Sequence, residues 1–502
     1  MTLLLSFGVI LLLIVEGRLL MHLLARGNLT SLEEWSLGLP LGAFVNALLF
    51  FAFTVTGIPL TPLFVVGGHA LIAIALFGLP RILPALRGAS WFDASTSSAQ
   101  APAHHDRYQS VTLSPPKCDT SMFFPKRILI AVTFFLCLSL TVKLLYGFTH
   151  AILLPTYYYD SLSQWNMRSR ISFGERKIAF DETQVRGISK PQYPILLHSL
   201  QIAVMLPQNA WLAGRSLGEG WQDRLANAAT FLLTCSSFLA FFLLLRRFTG
   251  NLFSLLTLGA LFSIPLLSIH LVQGYGDLHV IEYLLLSALF LFFAFKVSKE
   301  VSPHASSGLS MTPAFLMLSG LFAAAASFVK LEGFFFVLLP WVTLVAGLLF
   351  FAPPRERLRQ EWIALLPGIF LGSLWIFFLL ARGSSIGPHS DDLSLGWHSQ
   401  GIPLIVNALF LSGSFGIFWY ALPLLFAFLL PGALRAWQTH RASLAILLWG
   451  AVTFFGTLAI YLLTPNIEFL LNNQTFHRTM LMPVVLFIVG TALLLHEKKE
   501  MT

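Results

Sequence analysis

The sequence predicts an all-α polytopic membrane protein of about thirteen transmembrane helices, and three observations predict it. Hydrophobic residues make up 56% of the 502 positions and charged residues 11%, with 47 phenylalanines, too little polar surface to cover a water-soluble globule. Apolar runs of about 20 residues, the length that crosses a hydrocarbon layer of roughly 30 Å, recur along nearly the whole chain. The runs are continuously apolar rather than alternating, which points to helices and away from a β-barrel.

The runs lie near 3–24, 37–57, 61–80, 127–148, 226–245, 251–272, 279–297, 312–329, 333–351, 362–381, 416–434, 442–463 and 478–496. Basic residues in the short connections, Arg246 and Arg247, Lys296 and Lys299, Arg355, Arg357 and Arg359, Arg435 and Arg441, and Lys498 and Lys499, fall on alternate sides of successive runs. The bias of lysine and arginine toward the cytoplasm places all five groups inside, together with the C-terminus. The N-terminus and the long segment 149–225 then lie outside. That segment also carries Arg168, Arg170, Arg176, Lys177, Arg186, Lys190, Arg215 and Arg224. Long loops are exempt from the charge rule, and cations that meet a phosphate are a second explanation.

The formal net charge of +8 is scattered through loops, which favours anionic membrane lipid as a partner over nucleic acid. Cys118, Cys137 and Cys235 are far apart and give neither a disulfide framework nor a metal-binding spacing. The first apolar run lacks a basic leader and a small-residue cleavage site, so it reads as a retained helix.

Residues 87–125 are rich in Ser, Ala, Pro and Asp and read as a flexible cytoplasmic linker. It separates an N-terminal three-helix membrane module, 1–86, from a core over 126–502. His104 and His105 in the linker read as solvent-exposed residues rather than metal ligands. Within 149–225, Leu162, Trp165, Met167 and Ile171 beside Arg168 and Arg170 predict an amphipathic helix on the membrane surface. The apolar piece from Tyr193 to Leu206 is too short to span and is expected to dip into the interface.

Chemistry-bearing residues gather at the outer ends of these runs. Asp160, in Thr156-Tyr157-Tyr158-Tyr159-Asp160, opens the surface helix. There the helix dipole favours its anion, able to accept a proton or simply to cap the helix. Asp277 lies in Gly274-Tyr275-Gly276-Asp277-Leu278-His279, whose glycines permit a tight turn, and His279 and Glu282 continue into an apolar run. Lys330 and Glu332 put opposite charges into the apolar stretch Phe328-Val329-Lys330-Leu331-Glu332-Gly333. Central burial there would cost about 2.5–3.5 kcal/mol per charge, so such residues are functional candidates by default. On a helix, positions two apart face different ways, which predicts different partners for the two. His477 and Arg478 enter the last run from outside, and the guanidinium suits a phosphate or carboxylate, or snorkels to lipid headgroups.

The order of these pieces resembles the bacterial branch of the GT-C membrane glycosyltransferases, akin to protein O-mannosyltransferases and aminoarabinose transferases. It runs from a span to an outside loop that begins with Asp160, then Trp165, basic residues, Lys190-Pro191-Gln192-Tyr193-Pro194, Gly274-Tyr275-Gly276-Asp277 and Lys330-Leu331-Glu332-Gly333. The resemblance covers roughly 126–480. It implies a GT-C-like catalytic core, a sugar donor on a polyprenyl phosphate, and Asp160 as catalytic base. By the same resemblance Tyr193 and Pro194 shape the site, Asp277 lies toward the acceptor, and Lys330, Glu332 and Arg478 line the donor pocket. Two departures stand out: Ser161 follows Asp160 where many relatives carry a second acid, and three runs precede the core. The first argues against a metal site.

The expected reaction is an inverting displacement at the outer membrane face, with a lipid, glycan or protein hydroxyl as acceptor. Asp160 takes the acceptor proton and the lipid phosphate leaves. Lys330, Arg478 and one or more of Arg168, Arg170 and Lys190 would stabilise the leaving phosphate. Trp165, His279 and His477 complete the expected substrate-binding set, and no cofactor is called for. In a bacterium such a protein belongs in the inner membrane with its active face to the periplasm. A transporter or lipid flippase is the rival class, although no internal repeat or matched pair of interrupted helices marks one. A polysaccharide polymerase or ligase is the nearer rival, expected to rely on arginine and histidine rather than Asp160.

Overall fold

The computed structural model describes residues 2–25, 28–82, 126–154, 156, 158–180, 187–188, 190–209, 220–301, 312–350, 357–384, 395–471 and 475–499. The linker, with His104, His105 and Cys118, lies outside the described residues, as do Arg186 and Arg215. Among the described residues there are helices and no strands. In chain order they are α1 (Thr2–Ala25), α2 (Ser31–Thr56), α3 (Pro62–Ile82), α4 (Lys126–Phe148), α5 (Met167–Glu175), α6 (Leu196–Asn209) and α7 (Asp223–Ser263). There follow α8 (Pro265–Gln273), α9 (Gly276–Val301), α10 (Pro313–Val329), α11 (Leu331–Phe350) and α12 (Arg357–Ala381). The chain closes with α13 (Gly401–Val406), α14 (Phe418–Arg435), α15 (Trp437–Leu463), α16 (Ile467–Leu471) and α17 (Phe476–Lys499).

Ten helices among the described residues are long and apolar enough to cross a membrane, and the chain is an integral membrane protein. Three of the thirteen expected spans account for the difference. The apolar stretch Pro62–Gly78 of α3 and helix α10 are short of full span length, and the runs near 226–245 and 251–272 are joined in α7. Gly250 interrupts α7 with φ 78° and ψ 169°, a conformation open to glycine and essentially closed to other residues. The chain doubles back there, so that Phe238 packs on Phe262 with ring centroids 4.8 Å apart. The returning arm breaks again at Ile264–Pro265, where Lys143 of α4 donates to the Phe262 carbonyl at 2.5 Å and to Ser268 Oγ at 2.7 Å. The ammonium thus shares with the Ser268 hydroxyl, which donates to the same carbonyl at 2.7 Å, the work of satisfying a helix end.

Helices α1 and α2 pack through small residues. A Cβ on Gly42 would lie 1.9 Å from the Leu13 carbonyl oxygen, and Gly38 and Gly42 are spaced as in the small-residue stripes that let membrane helices approach closely. Thr30 and Glu33 form a reciprocal capping box at the start of α2. The pair lies against the rest of the bundle: Ser236 donates to the Ser36 carbonyl at 2.6 Å and Tyr283 to the Pro40 carbonyl at 2.8 Å. Helix α9 is buried from Gly276 to Phe295, between α10, α7, α15 and α17.

Protein covers more of the long segment than expected. Ser161–Asn166 form a π-helical turn leading into α5, and the buried face of the surface helix carries Gln164, Trp165, Arg168, Ser169 and Ser172 while Leu162 and Met167 are exposed. Its polar groups are spent on hydrogen bonds to neighbouring protein, which inverts the usual pattern. Likewise α6 is enclosed by protein. Leu196, Leu200 and Val204 are fully buried, and the helix lies within the bundle against α1, α2 and α7.

Charged residues mark both ends of the bundle. Asp277 and Arg478 open α9 and α17, while Lys296 and Glu497 pair at 3.0 Å near their far ends, about 30 Å away at the helical rise. His440 and Ser443 of α15 also reach Glu497, at 3.2 and 2.8 Å.

Candidate functional site

Separate stretches of chain bring charge to one end of the bundle. Gly274 ends α8 at φ 63°, a left-handed cap that turns the chain so that Asp277 stands in the first turn of α9. The helix dipole favours an anion there. Lys330 is extended, at φ −148° and ψ 155°, between α10 and α11. For that reason Lys330 and Glu332 share a contact after all, Nζ to Oε1 at 2.9 Å, because the face rule for helices does not govern an extended residue.

The charges form one continuous chain. Arg478 Nη1 donates to Asp160 Oδ2 at 2.5 Å and lies 3.6 Å from Asp277 Oδ2. Asp277 Oδ1 in turn accepts from Lys330 Nζ at 2.8 Å, and Tyr193 donates its hydroxyl to Glu332 Oε1 at 3.3 Å. Two rings complete it: the Arg478 guanidinium lies 5.4 Å from the Tyr275 ring centroid and Lys330 Nζ 5.4 Å from that of Tyr193. Three carboxylates and two cations leave one negative charge in excess.

Exposure is graded along this chain. Asp277 and Lys330 are buried, the Arg478 side chain is 18% exposed, and the Asp160 side chain is 33% exposed. Burial works against the Lys330 ammonium, but the Asp277 and Glu332 carboxylates outweigh it and raise its pKa above the ordinary lysine value. Burial, then the Glu332 carboxylate, pushes the Tyr193 phenol upward, so it stays protonated and able to donate. Within the cluster Arg478 Nε and Glu332 Oε2 are buried without a hydrogen-bond partner. Asp160 does not cap the helix that follows it; no cap hydrogen bond from its side chain is made.

Beneath the cluster, Trp165 stacks between Tyr193 and His198, with centroids 5.8 and 5.2 Å away. A Cβ on Gly276 would lie 2.5 Å from Trp165 Cζ2, so the indole occupies the space that glycine leaves beside Asp277. Pro194 is buried just before α6.

Other expected site residues sit elsewhere. Arg168 is fully buried as a strut of the long segment: Nε donates to the Ala179 carbonyl at 3.0 Å, Nη1 to the Tyr193 carbonyl at 2.5 Å, and the guanidinium faces the Phe180 ring. Burial lowers its pKa to about 9. Lys190 is tied through its backbone, which exchanges hydrogen bonds with the Gln164 amide at 2.7 and 2.8 Å. Arg170 is exposed. His279 pairs with Glu282 at 3.0 Å along α9, and His477 stacks on Phe415 at 6.2 Å.

Sequence reasoning did not single out the polar framework behind the cluster. Ser169 Oγ donates to Gln201 Oε1 at 2.6 Å, Gln201 Nε2 to Asn166 Oδ1 at 2.9 Å, and Asn166 Nδ2 to Thr156 Oγ1 at 2.7 Å, where Asn227 Nδ2 also donates at 2.9 Å. A cavity of about 40 Å³ lined by Ser161, Asn227, His270 and His279 adjoins it. His270 is buried there with neither ring nitrogen hydrogen-bonded. A histidine and a few amides inside apolar runs carry no periodic signal, and only the fold brings them together. Among the described residues no group of three His, Cys, Asp or Glu side chains is arranged to hold a metal ion.

No protein-family model, curated protein or solved structure matches this chain.

Proposed function

We propose that this protein is an inverting glycosyltransferase that moves a sugar from a polyprenyl-phosphate donor to a hydroxyl acceptor at the outer, periplasmic face of a bacterial inner membrane. The observation that carries the reading is Asp160, a partly exposed carboxylate held by Arg478 at the edge of a buried chain of Asp277, Lys330 and Glu332. Asp160 is the general base: it accepts the acceptor proton as the oxygen attacks the anomeric carbon and the carbon–oxygen bond to the phosphate breaks. Arg478 holds Asp160 and, through its buried Nε, offers a donor toward the departing phosphate. Tyr193 and Glu332 supply a hydroxyl and a carboxylate oxygen suited to sugar hydroxyls.

The test compares wild type with Asp160→Asn in lipid nanodiscs, measuring release of polyprenyl phosphate from a panel of lipid-linked sugars with broad acceptors supplied. Turnover of one donor by wild type, with a loss on the order of 10²–10⁴-fold in the variant and unchanged donor binding, is the expected result. If wild type releases lipid phosphate from no donor, the enzyme reading fails and a transporter takes its place. If the variant turns over normally, Asp160 is not the base.

A further inference from the structure

The N-terminal helices hold a second set of ionisable groups, remote in sequence from the site described above. Glu16 of α1, His69 of α3 and Asn46 of α2 are each no more than 1% exposed. Glu16 Oε2 lies 2.8 Å from His69 Nδ1, His69 Nε2 lies 3.1 Å from Asn46 Oδ1, and Asn46 Nδ2 donates to Ser199 Oγ of α6 at 3.0 Å. Ser199 Oγ donates to the Leu196 carbonyl at 2.8 Å. Glu16 stands nine residues before the end of α1, about 14 Å along the helix, and so deep in the apolar layer.

Counting protons along this chain fixes its state. Ser199 has one hydroxyl proton, and it goes to Leu196. Its oxygen therefore accepts from the Asn46 amide nitrogen, which turns the Asn46 carbonyl oxygen toward His69. That oxygen only accepts, so His69 Nε2 must carry a proton. The Nδ1 to Glu16 contact then needs a proton of its own, either on His69, making an imidazolium–carboxylate pair, or on Glu16, donating to a neutral imidazole. Charge balance requires the same proton. Among the described residues no lysine or arginine pairs with Glu16; Arg18 and His22 are engaged with Glu34, and Arg247 with Glu33. Without the extra proton Glu16 would be an uncompensated carboxylate in the membrane interior, with Oε1 lacking any hydrogen-bond partner.

We infer that Glu16 and His69 form an intramembrane proton-binding site, its ligand a single proton that closes a hydrogen-bonded chain from α1 through α3 and α2 to α6. Losing the proton leaves a buried negative charge, so release requires these helices to part or to admit water. The site adjoins in sequence the framework behind the charged cluster. Ser199 follows His198, whose ring stacks on Trp165 and whose Nδ1 lies 3.0 Å from Ser169 Oγ. The inference does not depend on the proposed sugar transfer.

Nitrogen NMR of the full chain in lipid bilayers, with ring-labelled histidine, tests it directly. The resonances of His69 are those missing from His69→Gln. Should that variant not fold, they are the ones displaced by Glu16→Gln, in which the amide can still donate to Nδ1. The expected wild-type spectrum has Nε2 protonated, with Nδ1 either protonated as well or accepting a strong hydrogen bond. A neutral ring protonated at Nδ1 alone, with a bare Nε2, would mean that no extra proton is held and would overturn the inference.

Discussion

Arg478 donates to Asp160 at 2.5 Å while lying 3.6 Å from Asp277, so one guanidinium couples the most exposed acid of the cluster to the most buried one. A lysine is a point charge and lacks the planar guanidinium, which here sets Nη1 against both carboxylates while lying over the Tyr275 ring. Arg478→Lys is therefore expected to lower the transfer rate on the order of 10²-fold while leaving the protein folded, as read from lipid-phosphate release beside a thermal melt. An unchanged rate would remove Arg478 from the machinery.

Asp277 and Lys330 are a buried ion pair at 2.8 Å. Removing one partner leaves the other buried with a single counter-ion, Glu332 beside Lys330 or Arg478 beside Asp277, so Asp277→Asn and Lys330→Met should each cost about 1–3 kcal/mol of stability. The double variant should cost clearly less than their sum, and a thermal-shift double-mutant cycle measures the difference. Additive losses would show that the pair is not coupled.

Trp165 fills the space over Gly276. Gly276→Ala should destabilise by about 1–3 kcal/mol through overpacking, and Trp165→Phe should relieve part of that loss in the same chain. Thermal melts of the two single variants and the double one decide it.

Tyr193 combines a hydroxyl bond to Glu332 with a stack on Trp165. Tyr193→Phe should lose about 0.5–1.5 kcal/mol, the value of one hydrogen bond, and Tyr193→Ala distinctly more, since the ring contact goes with it. Equal losses would mean that the hydroxyl alone matters.

Much of this arrangement is legible in the sequence. Asp277, Lys330, Glu332 and Arg478 each stand at the end of an apolar run and Asp160 opens the segment beyond one, and a charge so close to an apolar run is costly enough to draw attention. Their pairing was not legible, because Asp160 and Arg478 meet only after the intervening helices are stacked. A helical premise predicts different partners for Lys330 and Glu332, and the extended backbone of Lys330 voids that premise. The long segment misled for a related reason. Trp165 and Arg168 repeat at helical spacing, but they bury a polar face against protein. Glu16, Asn46 and His69 stayed silent because a single polar residue within an otherwise apolar helix leaves its span intact; their meaning comes only from one another.

The reversal at Gly250 bears on how the chain is made. The arm after it is only thirteen residues long before the break at Ile264–Pro265, too short to insert stably alone. The two arms are therefore expected to enter the bilayer together as a hairpin, with Arg246 and Arg247 near its tip. Biogenesis of the protein, as much as its finished fold, passes through one glycine.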